Sequence, residues 1–75
     1  MYPQIAVKLV TARALRGMTQ RELAAKAEVS PVTIVKVENE GRSPRAKTLF
    51  KIAQALGVDP REIDEFRPTL GLSAE

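Results

Sequence analysis

The sequence contains no cysteine and no histidine. Without cysteine it has neither a disulfide nor a thiolate metal site, and without histidine it lacks the usual zinc ligand and the commonest general base. Its carboxylates are spread along helix surfaces with no evident paired site. We therefore expect no enzyme activity, no bound metal and no cofactor.

Long apolar runs are also absent, and none approaches the roughly 20 residues that cross a bilayer. The opening Met-Tyr-Pro-Gln does not resemble a secretory signal, so we expect a cytoplasmic protein with no membrane partner. A chain of 75 residues suits one small domain. Such domains bury only about 60% of the surface that the unfolded chain exposes, which favours oligomerisation as a further source of stability.

Positive charge is concentrated in the body of the chain. Residues 1–58 hold 10 Lys and Arg against 4 Glu, a net charge of +6, whereas residues 59–75 hold 2 Arg against 5 acidic residues, a net charge of −3. A basic body suits a phosphate backbone, and an acidic C-terminal end is expected to lie away from it. The alternative is an ordinary solvated surface, because the excess over the whole chain is only +3.

The most informative stretch covers residues 19–40 and is typical of two short helices joined by a tight turn. Thr19 and Glu22 form a capping box, in which the hydroxyl accepts a backbone N–H and the carboxylate reaches back to the cap. A helix is therefore predicted to start there. Its narrow apolar stripe comprises Leu23, Ala24 and Ala27, and the small alanines allow another helix to approach closely.

The second helix of the pair starts at Ser30, a favourable N-cap. Pro31 follows at the first helical position, where its missing N–H is no loss. Ile34 and Val37 face inward at helical spacing. The outward positions are Pro31, Val32, Thr33, Lys36 and Asn39. Two helices separated by about three residues match the spacing of a helix-turn-helix.

Three further helices are predicted around this pair. The first covers residues 4–16, the fourth covers residues 45–56, and a short fifth begins at the capping box of Asp59 and Glu62. The expected core positions are Ile5, Leu9, Ala12, Met18, Val29, Leu49, Ile52, Ala53, Leu56, Ile63 and Phe66. The predicted domain covers residues 1–67, and residues 68–75 are expected to form a flexible tail.

The first helix also carries a second apolar stripe, almost opposite the face that holds Leu9 and Ala12. It consists of Ala6, Val7, Val10 and Ala14. One small domain cannot easily bury both faces with the same helices, so we expect a further surface to cover this stripe.

Four runs of sequence together resemble the DNA-binding domain of phage repressors and Cro, the XRE-type helix-turn-helix family. They are T-Q-R-E-L-A-A-K-A, V-S-P-V-T-I, V-E-N-E-G-R-S-P and L-F-K-I-A-Q-A-L-G-V, and the resemblance covers roughly residues 5–66. It implies an all-α, five-helix phage-repressor-like domain with a central helix-turn-helix. It also implies a homodimer that binds double-stranded DNA and regulates transcription as a repressor.

The family places the start of the third helix in the major groove and the second helix across the phosphate backbone. Carried over, the base-facing residues are Pro31, Val32, Thr33 and Lys36. The phosphate candidates are Gln20, Arg21, Ser30, Asn39, Arg42, Arg45 and Lys47. Lys36 suits guanine and Val32 suits a thymine methyl. Relatives often carry Gln, Arg, Ser or Asn on this face, so the departure implies modest sequence discrimination.

Two further expectations follow from the resemblance. Arg13 and Glu38 match a partly buried structural ion pair between the first and third helices of the family. Glu28 stands in the turn where relatives usually carry glycine. If the backbone there is left-handed, a non-glycine residue costs on the order of 1 kcal/mol.

The family usually dimerises through its C-terminal region. The dimer candidates there are Ile63, Phe66 and Leu70. They compete with the second stripe of the first helix, and we favour the C-terminal surface because the acidic segment beside it would stay clear of phosphate.

Two alternatives to the repressor remain open. The chain could be the DNA-binding antitoxin of a toxin–antitoxin pair, with a toxin as its protein partner, and a neighbouring toxin gene would distinguish this case. It could instead be a protein-interaction module that kept the fold and lost tight DNA binding, which the apolar Pro31 and Val32 permit.

Overall fold

The computed structural model describes residues 6–72, and the backbone is mainly helical. Four α-helices follow in the order α1 (Leu9–Leu15), α2 (Gln20–Ala27), α3 (Pro31–Glu40) and α4 (Ala46–Leu56). Helix α2 packs against α3 and α4, and α1 packs against α3. The all-α fold class is confirmed. Within the described residues, no helix is both long enough and apolar enough to cross a membrane.

The predicted fifth helix is wrong. Two single turns of 3-10 helix, Pro60–Glu62 and Asp64–Phe66, take its place. Ile63 lies between them with an extended backbone, at φ −103° and ψ 121°. It is extended because it forms a parallel β-bridge with Val7, and a residue in such a bridge cannot continue a helix. Residues 6–72 therefore contain four α-helices.

The same pairing shortens the first helix, which begins at Leu9 and not at residue 4. The Val7 N–H donates to the Glu62 carbonyl at 2.8 Å, and the Asp64 N–H donates to the Val7 carbonyl at 2.8 Å. Lys8 then has φ −66° and ψ 150°, which is extended backbone. Long-range pairing has overridden the helical pattern of this segment.

The predicted second stripe of the first helix is accordingly reduced. Ala6 and Val7 lie before α1, and Val7 packs against the core of its own chain. Val10 and Ala14 remain on α1, where both are exposed. Ile5, which we expected on the opposite face, lies outside the described residues.

The start of α1 is capped from the other end of the chain. The Leu9 N–H donates to Glu65 Oε1 at 2.9 Å, and Glu65 is buried, at 6% exposure. The helix has no cap from its own N-cap residue, Lys8. A carboxylate at a helix N-terminus is favourable because it meets unsatisfied N–H groups and the positive end of the helix dipole.

The two central helices begin as predicted. The Glu22 N–H donates to Thr19 Oγ1 at 3.0 Å, and the Thr19 N–H donates to Glu22 Oε1 at 2.8 Å, which completes the capping box. Ser30 Oγ accepts the Val32 N–H at 3.2 Å, and Pro31 occupies the first turn of α3. These bonds set where the chain leaves α2 and enters α3.

One core joins the four helices and the C-terminal turns. Its buried residues are Leu9, Ala12, Leu23, Ala24, Ala27, Ile34, Val37, Leu49, Ile52, Ala53, Ala55, Leu56, Ile63 and Phe66. Met18 and Val29 are partly buried against it, on either side of α2. Phe50 lies off the apolar stripe of α4, and about half of it is exposed.

The burial of Ile63 and Phe66 corrects their assignment as dimer candidates. Both side chains are wholly buried within a single chain, so they have no surface to offer a second copy. Leu70, the third candidate, is partly buried against the same core. Phe66→Asp would bury an unpaired carboxylate, so we expect it to unfold the domain.

Residues 68–72 form turns that contact the body, where we expected a flexible tail to begin. Thr69 Oγ1 donates to the Pro44 carbonyl at 2.6 Å, and Leu70 packs against the core. A tail stays a prediction for residues 73–75, which lie outside the described part of the chain.

Glu28 is the C-cap of α2 and has a left-handed backbone, with φ 60° and ψ 44°. It is the only non-glycine residue with positive φ in residues 6–72. We predict that Glu28→Gly raises the free energy of unfolding by roughly 0.5 kcal/mol, because relief of the strain outweighs the added entropy of the unfolded chain. A urea titration measures the difference.

Glu28→Ala is the matched control, because it removes the carboxylate but keeps the Cβ atom and therefore the strain. It should give no comparable gain. If the alanine variant is stabilised as much as the glycine variant, the charge of Glu28 and not its backbone is the unfavourable feature.

Candidate nucleic-acid interface

Helix α3 has a buried inner face and an exposed outer face. Ile34 and Val37 are buried against the rest of the domain. On the outer side Val32 and Lys36 are exposed, and Thr33 is half-buried. Pro31 is exposed at the start of the helix, so its N-terminal end is open to a large partner.

A buried ion pair sets the orientation of α3 against α1. Arg13 Nε donates to Glu38 Oε2 at 2.7 Å, and Arg13 Nη2 donates to Glu38 Oε1 at 3.0 Å, so the pair is bidentate. The arginine side chain is 15% exposed and the glutamate side chain 2%. The hydrogen bond to Glu38 and the attraction of its charge raise the pKa of Arg13, against the opposing effect of burial.

Arg13 also fixes the turn before α2. Its Nη1 donates to the Met18 carbonyl at 2.7 Å. One guanidinium therefore uses three of its nitrogen atoms to join α1, the following turn and α3. Such planar, multiply bonded contacts give arginine a geometric role that lysine could not supply.

Gln20 has a different side-chain partner from the one predicted. Its Nε2 donates to Glu38 Oε1 at 2.9 Å, so the amide belongs to the ion-pair network. Gln20 is still the first residue of α2, where backbone N–H groups lack helical partners. The amide NH2 has a second N–H that this bond does not use, so the predicted contact of Gln20 with phosphate, through its backbone N–H or its side chain, stays a prediction.

Four of the predicted DNA-contacting residues line one open groove beside α3. This groove has a volume of about 230 Å³. Its lining residues are Thr33, Lys36, Val37, Arg42, Ser43, Pro44 and Arg45. Two base-facing candidates, Thr33 and Lys36, are thus brought together with two phosphate candidates, Arg42 and Arg45. The groove is basic, and the Arg42 side chain contacts Glu40 at 3.5 Å on the exposed surface.

Four other phosphate candidates do not line this groove. All are exposed: Arg21 in the first turn of α2, Ser30 and Asn39 at the two ends of α3, and Lys47 in the first turn of α4. Their contacts with phosphate stay a prediction. No group of three or more metal-binding side chains occurs among residues 6–72.

Sequence reasoning missed three polar contacts that hold the site in place. Ser43 Oγ donates to the Glu65 carbonyl at 2.7 Å. Arg16 Nε donates to the Leu56 carbonyl at 2.9 Å, at the last residue of α4. The cap of Glu65 on Leu9 spans 56 residues. No local pattern reveals such pairs, because each joins segments far apart in the chain.

A helix-turn-helix family model matches residues 9–63, which include all four helices and the groove. The chain belongs to the helix-turn-helix family. An uncharacterised HTH-type transcriptional regulator of Methanocaldococcus jannaschii is 43% identical over 56 residues, covering 75% of this chain and 85% of that protein. A second uncharacterised HTH-type transcriptional regulator, from Sinorhizobium fredii, is 38% identical over 48 residues, covering 64% of this chain and 62% of that protein.

The ion pair of this helix-turn-helix domain can be tested through stability. We predict that Arg13→Met lowers the free energy of unfolding by about 3 kcal/mol, because Glu38 is left as a buried charge with one remaining partner, Gln20. Urea titration at neutral pH measures the loss.

Arg61→Met is the control for this prediction, since Arg61 pairs with Asp59 at 2.7 Å on an exposed surface. It should change stability only slightly, because exposed ion pairs contribute little. Equal losses of stability in the two variants would show that the buried pair contributes no more to the free energy of unfolding than a surface pair does.

Proposed function

We propose that this chain is a DNA-binding transcriptional regulator that inserts the exposed start of α3 into the major groove of double-stranded DNA. The groove that joins Lys36 and Thr33 with Arg42 and Arg45 carries the proposal, because it combines base-facing groups with phosphate ligands. The regulator role draws on the names of the two relatives.

The side chains divide into two chemical roles. Lys36 donates to guanine O6 or N7, and Val32 packs on a thymine methyl. Arg42 and Arg45 bind phosphates beside the reading helix and set its register. Discrimination between sequences is modest, because Lys36 is the one strong donor on the base-facing part of α3.

Two copies acting together would compensate for this limited readout. A homodimer that places both α3 helices on one side of the duplex contacts two half-sites about one helical turn apart. Repression follows from occupancy, since a bound dimer excludes other proteins from its operator without any further contact. The homodimer and the repressor role are both part of the proposal.

The outer face of α1 is the surface that best suits this dimer. It presents Val10, which is 42% exposed, and Leu15, which is 74% exposed. Thr11 and Ala14 lie between them and are also exposed. This face carries no charge, so a twofold contact between two copies brings no like charges together. The burial of Ile63 and Phe66 removes the C-terminal surface that we first favoured.

A protein-interaction module is the second candidate, because exposed Val32 at the start of α3 suits an apolar partner as well as a thymine methyl. Selection of bound sequences from a random duplex pool, at a fixed salt concentration, distinguishes the two. A recovered motif with two related half-sites supports the regulator. Retention of no duplex at low salt would exclude DNA binding and favour the interaction module.

The division between base and phosphate contacts gives a direct prediction. Lys36→Ala should relax the preference at one base position, and Arg42→Ala should weaken binding to all sequences alike. Arg42→Ala should also reduce the slope of log K against log salt by about one unit. Fluorescence anisotropy with the selected duplex and its single-base variants measures both effects. Equal losses on every duplex for both variants would remove Lys36 from the reading role.

The dimer surface gives a second prediction. Val10→Asp should produce a folded monomer in sedimentation and lose most of the affinity for a duplex with two half-sites, because it places two carboxylates at the twofold contact. Phe50→Asp is the matched control, since Phe50 is an exposed apolar residue, at 52%, on a different helix. If Phe50→Asp gives the monomer and Val10→Asp does not, the dimer forms through α4.

A further inference from the structure

The loop that carries Arg42 and Arg45 is held by residues outside the loop. Residues 41–45 connect α3 to α4 without regular secondary structure. At its start the Gly41 N–H donates to the Val37 carbonyl at 3.1 Å and the Arg42 N–H to the Lys36 carbonyl at 3.3 Å. These bonds close the end of α3. At the other end of the loop, the Arg45 carbonyl accepts the Leu49 N–H at 2.9 Å and so joins the start of α4. Ser43 and Pro44, between these two ends, are held by other contacts.

Two side-chain hydrogen bonds hold Ser43 and Pro44, and both join the loop to the C-terminal turns. Ser43 Oγ donates to the Glu65 carbonyl at 2.7 Å. Thr69 Oγ1 donates to the Pro44 carbonyl at 2.6 Å. They hold two successive loop residues, and Arg42 and Arg45 flank those residues on either side.

The C-terminal turns are themselves firmly held. Phe66 is wholly buried in the core, and the side chain of Glu65 caps α1 through the Leu9 N–H at 2.9 Å. Glu65 thus accepts the Leu9 N–H with its carboxylate and the Ser43 hydroxyl with its backbone carbonyl. The middle of the loop is therefore held by a segment that is itself anchored in the core.

We propose that Ser43 and Thr69 are positioning residues for DNA binding. Together with the turns at residues 65–69, they hold Arg42 and Arg45 at the edge of the groove so that both guanidiniums meet phosphate without an ordering step. The C-terminal turns thereby contribute to affinity without touching DNA. This proposal rests on the proposed DNA-binding function, which supplies the phosphates.

Thr69→Val tests the proposal because it removes the hydroxyl and nearly preserves the shape of the side chain. Binding should weaken roughly two- to tenfold, the range that corresponds to the net contribution of one hydrogen bond. The loss should be uniform across duplex sequences, with a shallower salt dependence, because phosphate contacts are affected. Thr69→Ser retains the hydroxyl and should bind as the wild-type chain does.

A coupling measurement separates positioning from a general loss of stability. In a background that carries Arg42→Ala and Arg45→Ala, Thr69→Val should have no further effect on binding, since the groups it positions are gone. A loss of the same size in both backgrounds would overturn the proposal. Ser43→Ala provides an independent variant at the other bond and should show the same coupling.

A measurement without DNA completes the test. Trypsin should cut the folded Thr69→Val chain after Arg42 and Arg45 faster than it cuts the Thr69→Ser chain, while thermal melting differs little. If the wild-type chain binds no duplex, the proposed function fails, and the cleavage rates still decide whether these bonds order the loop. If binding occurs but Thr69→Val and Thr69→Ser match in affinity or in cleavage, the positioning role is wrong.

Discussion

The buried carboxylate of Glu38 is the group on which the pose of α3 depends. It accepts hydrogen bonds from Arg13 Nε, Arg13 Nη2 and Gln20 Nε2, so α1 and α2 both contact it. A carboxylate with a side chain only 2% exposed is tolerated because these donors replace the water that it has lost. The same bonds leave α3 little freedom to rotate. Under the proposed function, a helix held in this way presents Lys36 to DNA without reorganising.

The two ends of the described chain close the domain beside that helix. The bridge between Val7 and Ile63 brings the N-terminal segment onto the C-terminal turns, and Glu65 then caps α1. In a domain this small each such contact matters, because the buried apolar surface alone leaves a narrow margin of stability. The loop after α3 is tied to the same turns through Ser43. Closure of the fold and placement of the groove are therefore linked.

The acidic residues near the C-terminus have partners within the domain. Asp64 pairs with Lys8 at 3.3 Å. Asp59 pairs with Arg61, and this hydrogen bond lowers the pKa of Asp59 to about 2. With Glu65 committed to α1, three acidic residues have partners within the domain. Lys36, Arg42 and Arg45 meanwhile share the groove beside α3. The uneven charge of the sequence thus corresponds to two regions: an acidic one whose residues pair within the domain, and a basic one that lines the groove beside α3.

The sequence by itself determined those parts of the fold that depend on interactions between residues close together in the chain. The capping box at Thr19, the N-cap at Ser30 and the glycine ends of α3 and α4 predict the helix-turn-helix because each signal acts within a few residues. The sequence placed Ile63 both among the core positions and among the dimer candidates, and the tertiary structure decided for the core. An apolar pattern indicates that a face is covered but not by what. The tertiary structure also decided where α1 begins, because a bridge across more than fifty residues outweighed the local preference for helix.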